Sequence, residues 1–152
     1  MPWTEEPALV EPRMMLAAAL CDATSPGSGS WIYAIGGSTS TTAVAATAAY
    51  DTASQRWSPV ASMPSARTLL AATSGPGRLH ALGGMDNAGN ALAVHEIFEP
   101  AAGAWSSAAP FTAPRLALAA VNGPDGRVYV LGGGDHFFGT VIATVEVNFR
   151  LL

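Results

Sequence analysis

The sequence predicts an all-β chain built as an array of small repeated sheets, and three observations carry that expectation. Trp31-Ile32-Tyr33-Ala34-Ile35-Gly36-Gly37, Arg78-Leu79-His80-Ala81-Leu82-Gly83-Gly84 and Arg127-Val128-Tyr129-Val130-Leu131-Gly132-Gly133 are versions of one segment, with their second glycines 47 and 49 residues apart. Trp3, Trp57 and Trp105 move with it, each ten residues ahead of an arginine: Arg13, Arg67 and Arg115. Clusters of Gly, Pro, Asp and Ser separate short apolar runs, the pattern of many brief strands joined by turns. Self-similarity at one period means units that bury their apolar faces only against each other.

Each unit reads as four strands. The first is the apolar run opened by the arginine: Arg13-Met14-Met15-Leu16-Ala17-Ala18, Arg67-Thr68-Leu69-Leu70-Ala71-Ala72 and Arg115-Leu116-Ala117-Leu118-Ala119-Ala120. The second ends in the glycine pair. The third ends at an aromatic-acidic pair, Tyr50-Asp51 or Phe98-Glu99, and the fourth starts at the tryptophan seven residues later. Ser25-Pro26-Gly27, Gly75-Pro76-Gly77 and Gly123-Pro124-Asp125-Gly126 join the first and second strands, because such residues set backbone angles that end a strand. The first two strands are apolar almost throughout, as expected of strands covered on both faces.

A glycine pair closing a strand, then tyrosine, then tryptophan, resembles the kelch repeat over about residues 3–149. The resemblance implies that each unit is one four-stranded blade of a β-propeller. It implies a single domain over 1–152, with repeat landmarks Trp3–Tyr50, Trp57–Phe98 and Trp105–Asn148. In the third unit Asn148 takes the place of Tyr50 and Phe98. Gly36, Gly37, Gly83, Gly84, Gly132 and Gly133 would permit close backbone approach, and the aromatics would pack between blades.

The units are cut out of phase. One strand at Trp3 leads, two complete sets of four follow, and three strands close the chain, twelve strands in all. Propellers typically carry four to eight blades, and a three-blade ring would turn about 120° per blade. Two chains making a six-bladed ring is therefore the expected arrangement, a homodimer in which the Trp3 strand of one chain completes the last blade of the other. The alternative is a fragment of a longer kelch propeller.

Composition narrows the partners. The net charge is -4, the pI is near 5.1, and all seven basic residues are arginine. That balance argues against nucleic acid, which calls for a basic face. No apolar run approaches the roughly 20 residues that cross a bilayer, so no membrane is expected. Met14–Cys21 faintly resembles a signal segment, but Glu5, Glu6 and Glu11 precede it where basic residues belong. The repeat explains it as a first strand, which favours the cytoplasm over secretion. Cys21 is the single cysteine, so no internal disulfide forms, and it reads as a small core residue.

In proteins that Arg13, Arg67 and Arg115 resemble, arginines at this position line the mouth of the central channel and hold acidic peptides. Paired donors in one plane suit a carboxylate. The other reading is that each arginine bonds loop carbonyls and staples neighbouring blades. The loops 38–42, 85–92 and 134–140 would open onto the same face. The last carries His136, Phe137 and Phe138, and two adjacent phenylalanines cannot both face inward on a strand. His80 stands in the slot of Tyr33 and Tyr129, and reads as a core substitution. No metal set, phosphate loop or nucleophile-base pair stands out, and no cofactor is expected. The expected function is a noncatalytic protein- or peptide-binding or assembly module. The alternative is a sugar-active kelch-like enzyme, an oxidase or epimerase, for which Glu11 beside Arg13 is the one acid/base candidate.

Overall fold

The computed structural model describes residues 2–22 and 30–147. Eleven strands form three antiparallel sheets among these residues. The first sheet contains β1 (Ala17–Asp22), β2 (Ser30–Ile35), β3 (Thr47–Asp51) and β4 (Arg56–Val60), in that order. The second contains β5 (Ala71–Gly75), β6 (Arg78–Leu82), β7 (His95–Glu99) and β8 (Ala104–Ser107). The third contains β9 (Ala119–Asn122), β10 (Val128–Leu131) and β11 (Val145–Val147). Each sheet is one blade, each strand beside its sequence neighbour. The turn at Ser25–Gly27 and the landmark Asn148 lie outside the described residues.

One expectation is corrected. The first strand of each blade begins four residues after its arginine, not at it. Between arginine and strand, Met15, Leu69 and Ala117 adopt left-handed backbone with φ of 54°, 55° and 51°. The reason is the neighbouring blade: the Leu69 amide donates to the Met15 carbonyl at 3.0 Å, and the Ala117 amide to the Leu69 carbonyl at 2.9 Å. This turn aims the backbone sideways, from one blade to the next, before the strand begins. Residues 2–9 form no strand within the chain, and the Trp3 side chain is fully exposed.

The core lies between the sheets. Tyr33, Ile35, Ala49, Met63, Leu79 and Phe98 fill the space between the first and second. Leu82, Val128 and Val130 pack with Phe111 and Leu118 between the second and third. Alanines facing each other let the sheets approach, and larger residues brought in by loops close the gaps. The tryptophans fasten the outer strands. The Trp57 indole N–H donates to the Pro7 carbonyl at 3.0 Å, and that of Trp105 to the Ala61 carbonyl at 2.8 Å. Their rings lie on Tyr50 and Phe98, the cross-strand partners, at 5.1 and 5.2 Å between centroids. No helix among the described residues is long and apolar enough to cross a membrane.

Candidate functional site

The arginine loops and the loops after the glycine pairs form the candidate face. Arg67 is fully buried. Its guanidinium donates to Glu96 Oε2 at 2.6 Å, to the Ser65 carbonyl at 3.1 Å and to the Ala81 carbonyl at 3.2 Å. Glu96, 1% exposed on β7, also accepts the Ser65 hydroxyl at 2.7 Å. Arg115 repeats this arrangement, fully buried, donating to the Gly132 and Thr144 carbonyls at 3.2 Å and to Glu146. Glu146 in turn accepts the Thr112 amide at 2.7 Å. Arg13 donates to the Gly36 carbonyl at 3.0 Å and the Ala46 carbonyl at 2.6 Å. It has no carboxylate there, because Ala48 faces Ala34 where Glu96 faces Ala81 and Glu146 faces Val130. Burial lowers the Arg13 pKa, with Glu11 opposing.

Arg67 and Arg115 therefore do not offer free guanidinium forks to a channel mouth. A charge taken out of water needs full pairing, and a carboxylate on the third strand supplies it. Each side chain holds its own blade together. The backbone carbonyl of the same residue does the stapling, accepting the Gly37 amide for Arg67 at 3.0 Å and the Gly84 amide for Arg115 at 2.9 Å. Glu96 and Glu146 are the residues that sequence reasoning missed. The available signal was a carboxylate in the same register of the third strand in two units, Glu96 two positions before Phe98 and Glu146 two before Asn148.

The three post-glycine loops differ in what they expose. Loop 38–42 is serine and threonine. In loop 85–92 the Asp86 carboxylate accepts the Ala88 and Asn90 amides, both at 2.9 Å, and the Asn87 side chain accepts the Ala43 amide at 2.7 Å and donates to the Ala43 carbonyl at 3.1 Å, so the tip is polar and tied to the preceding blade. In loop 134–140 the Asp135 carboxylate accepts the Thr140 amide at 2.8 Å and meets His136 Nδ1 at 2.6 Å. That ties the loop base and pushes Phe137 and Phe138 outward. They are 47% and 97% exposed, stacked edge to face at 4.8 Å. Phe138 sits at φ 64°, a strained conformation for an aromatic residue. Beneath them is a cavity of about 300 Å³ lined by Leu116, Gly133, Val141 and the two rings. Thus His136, Phe137 and Phe138 come together, and the arginines do not join them.

Partly buried His80 pairs with buried His95, Nδ1 of the first 2.8 Å from Nε2 of the second. Burial, then the His95 ring and the Arg78 charge, push His80 down to about 4 from 6.5. Burial also lowers His95. Both rings are thus held neutral, one donating and one accepting. In the unfolded chain His80 takes up a proton near pH 6.5, while in the folded chain it resists until about pH 4. Stability is then complete above pH 6.5 and falls as the pH drops through that window, by roughly 3 kcal/mol. Thermal melts between pH 7.5 and 4 should show this loss. His80→Tyr, the residue at both equivalent positions, should reduce it, leaving the share that buried His95 contributes. A melting temperature that ignores pH over this range would argue against a buried neutral pair.

No group of three or more His, Cys, Asp or Glu side chains that could hold a metal occurs among the described residues. Residues 19–64 match the family model described as the kelch motif. The matched stretch runs from within β1 into the loop after β4, and includes Gly36-Gly37, Tyr50 and Trp57. No curated protein matches the chain.

Proposed function

Because the chain belongs to the kelch-repeat family, we propose that it is a noncatalytic protein- or peptide-binding module, working as a six-bladed ring of two copies. The observation that carries the binding reading is the tip of loop 134–140. Two aromatic rings stand in solvent over an apolar cavity, on a loop whose base is fixed by Asp135. Exposed aromatics beside a polar rim are contact anchors, because they bury much area with little loss of freedom. Arg67 and Arg115 act as struts that position the loops. Arg13, half-buried and without a carboxylate on its guanidinium, is the one of the three left to meet an acidic group of the ligand.

The test is selection of peptides from a displayed random library on the immobilised chain, followed by affinity measurement on the F137S/F138S variant. The substitutions lie on a solvent-exposed tip, so circular dichroism should not change. Affinity for the selected peptides should fall at least tenfold, about 1.4 kcal/mol or more. Peptides that bind both proteins equally, or a library that yields none, would refute the reading.

A further inference from the structure

Each seam between blades is made by the same backbone contacts, and at both ends of the array the set stands half-made. Between the first and second sheets, the Gly37 amide donates to Arg67 O at 3.0 Å and the Leu69 amide to Met15 O at 3.0 Å. At the same seam the Met63 amide donates to Ala45 O at 2.9 Å and the Arg67 amide to Val44 O at 3.2 Å. The second seam repeats all four: Gly84 to Arg115 at 2.9 Å, Ala117 to Leu69 at 2.9 Å, Phe111 to Ala93 at 3.2 Å, Arg115 to Leu92 at 3.1 Å. By the same register the third sheet presents the Gly133 amide and the carbonyls of Ala117, Ile142 and Ala143. The first blade presents the Arg13 carbonyl and the amides of Met15, Arg13 and Leu9. None of these eight groups has a hydrogen-bond partner among the described residues. Every donor at one end corresponds to an acceptor at the other.

Side chains tell the same story. Leu20 and Ile32 are 49% and 36% exposed on the outer face of the first sheet, and Val121 and Val145 are 52% and 55% exposed on the outer face of the third. No large apolar side chain of the middle sheet is exposed. A second cavity, of about 440 Å³, opens beside β11 and is lined by Ala109, Phe111, Val128, Val130 and Val147. Ala109 follows Trp105 by four residues, as Ala61 follows Trp57. Ala61 O holds the Trp105 indole. The cavity is therefore where a tryptophan of a fourth strand belongs.

We propose that this open side takes a second copy of the chain. The proposal rests on the two-copy ring above and names how that ring closes. Segment 2–6 of the second copy lies along β11 as the missing fourth strand. The partner's Trp3 enters the 440 Å³ cavity and donates its indole N–H to Ala109 O. The partner's Arg13 carbonyl receives the Gly133 amide. A two-fold axis makes the seam twice, so neither apolar end face is left in water.

The prediction is read from sedimentation equilibrium or light scattering of the full chain across a concentration series. The expected mass is twice the 15.5 kDa of one chain. Trp3→Ala removes a side chain that touches nothing in the single chain, so it should leave the circular dichroism unchanged and raise the dimer dissociation constant at least tenfold. Gly132→Ala is the second probe. A Cβ there meets nothing nearer than 3.6 Å within the chain, whereas a Cβ at Gly36 would lie 2.7 Å from the Arg67 carbonyl of the next blade. Only a partner's Arg13 carbonyl would make Gly132→Ala costly to assembly, again tenfold or more. A monomer at every concentration would overturn both the ring and the seam, and would point to further blades of a longer chain as the natural cover. A dimer whose dissociation constant ignores both substitutions would overturn the seam while leaving two-copy assembly standing.

Discussion

Glu96→Ala is expected to destabilise the chain by about 3–5 kcal/mol, the loss typical of removing one partner from a buried ion pair. Arg67 is left fully buried with two carbonyls and no countercharge. Its Nε already lacks a partner, so the guanidinium has no spare contact to fall back on. The loss is expected as a lower urea midpoint at unchanged slope, since the blades themselves persist. Two further variants separate charge from packing. Arg67→Met with Glu96→Leu should recover much of the stability, because an apolar pair of similar size carries no desolvation penalty. In the unassembled chain Glu146→Ala should cost less than Glu96→Ala, because the Glu146 side chain there keeps 19% exposure and water can reach the Arg115 pair. Equal losses at the two glutamates would mean that burial is not what gives the pair its weight.

Gly83→Ala is expected to cost about 3 kcal/mol or more, from two sources. The residue sits at φ +59°, where a side chain crowds the following carbonyl. The new Cβ would also lie 2.6 Å from the Arg115 carbonyl and 3.0 Å from Leu118, which are backbone and core of the next blade. Gly89→Ala is the matched control, at φ +86° with nothing within 4 Å. It carries the conformational penalty alone, about 1–2 kcal/mol. The difference in melting temperature between the two variants isolates the blade-to-blade approach. Similar melting temperatures would show that the glycine pair serves only the turn.

Much of this architecture was legible in the residue order. The spacing of Gly36-Gly37, Gly83-Gly84 and Gly132-Gly133 announced a repeating unit, and Trp57 and Trp105 marked its outer strand. Turn formers and apolar runs act on neighbours within a few residues, so their meaning survives without three-dimensional context. The same local reading misplaced the start of β1, β5 and β9. The backbone at Met15, Leu69 and Ala117 is bent by hydrogen bonds to another blade some fifty residues away, and no local pattern encodes that pull.

The candidate site divides along the same line. Phe137 and Phe138 were singled out as adjacent aromatics that cannot share one face of a strand, and the fold leaves both in solvent. The arginines were legible as a repeated set, but their fate was not. Whether a guanidinium meets a ligand or a glutamate depends on what stands across the sheet. Arg67 meets Glu96 at a sequence separation of 29 and Arg115 meets Glu146 at a separation of 31, while Arg13 finds Ala48 in that place. Periodicity is a property of the chain alone, and it determined that there are blades and how each is stranded. Burial and charge pairing are properties of distance in space, and only the packed sheets decided which arginines are struts and which aromatics face water.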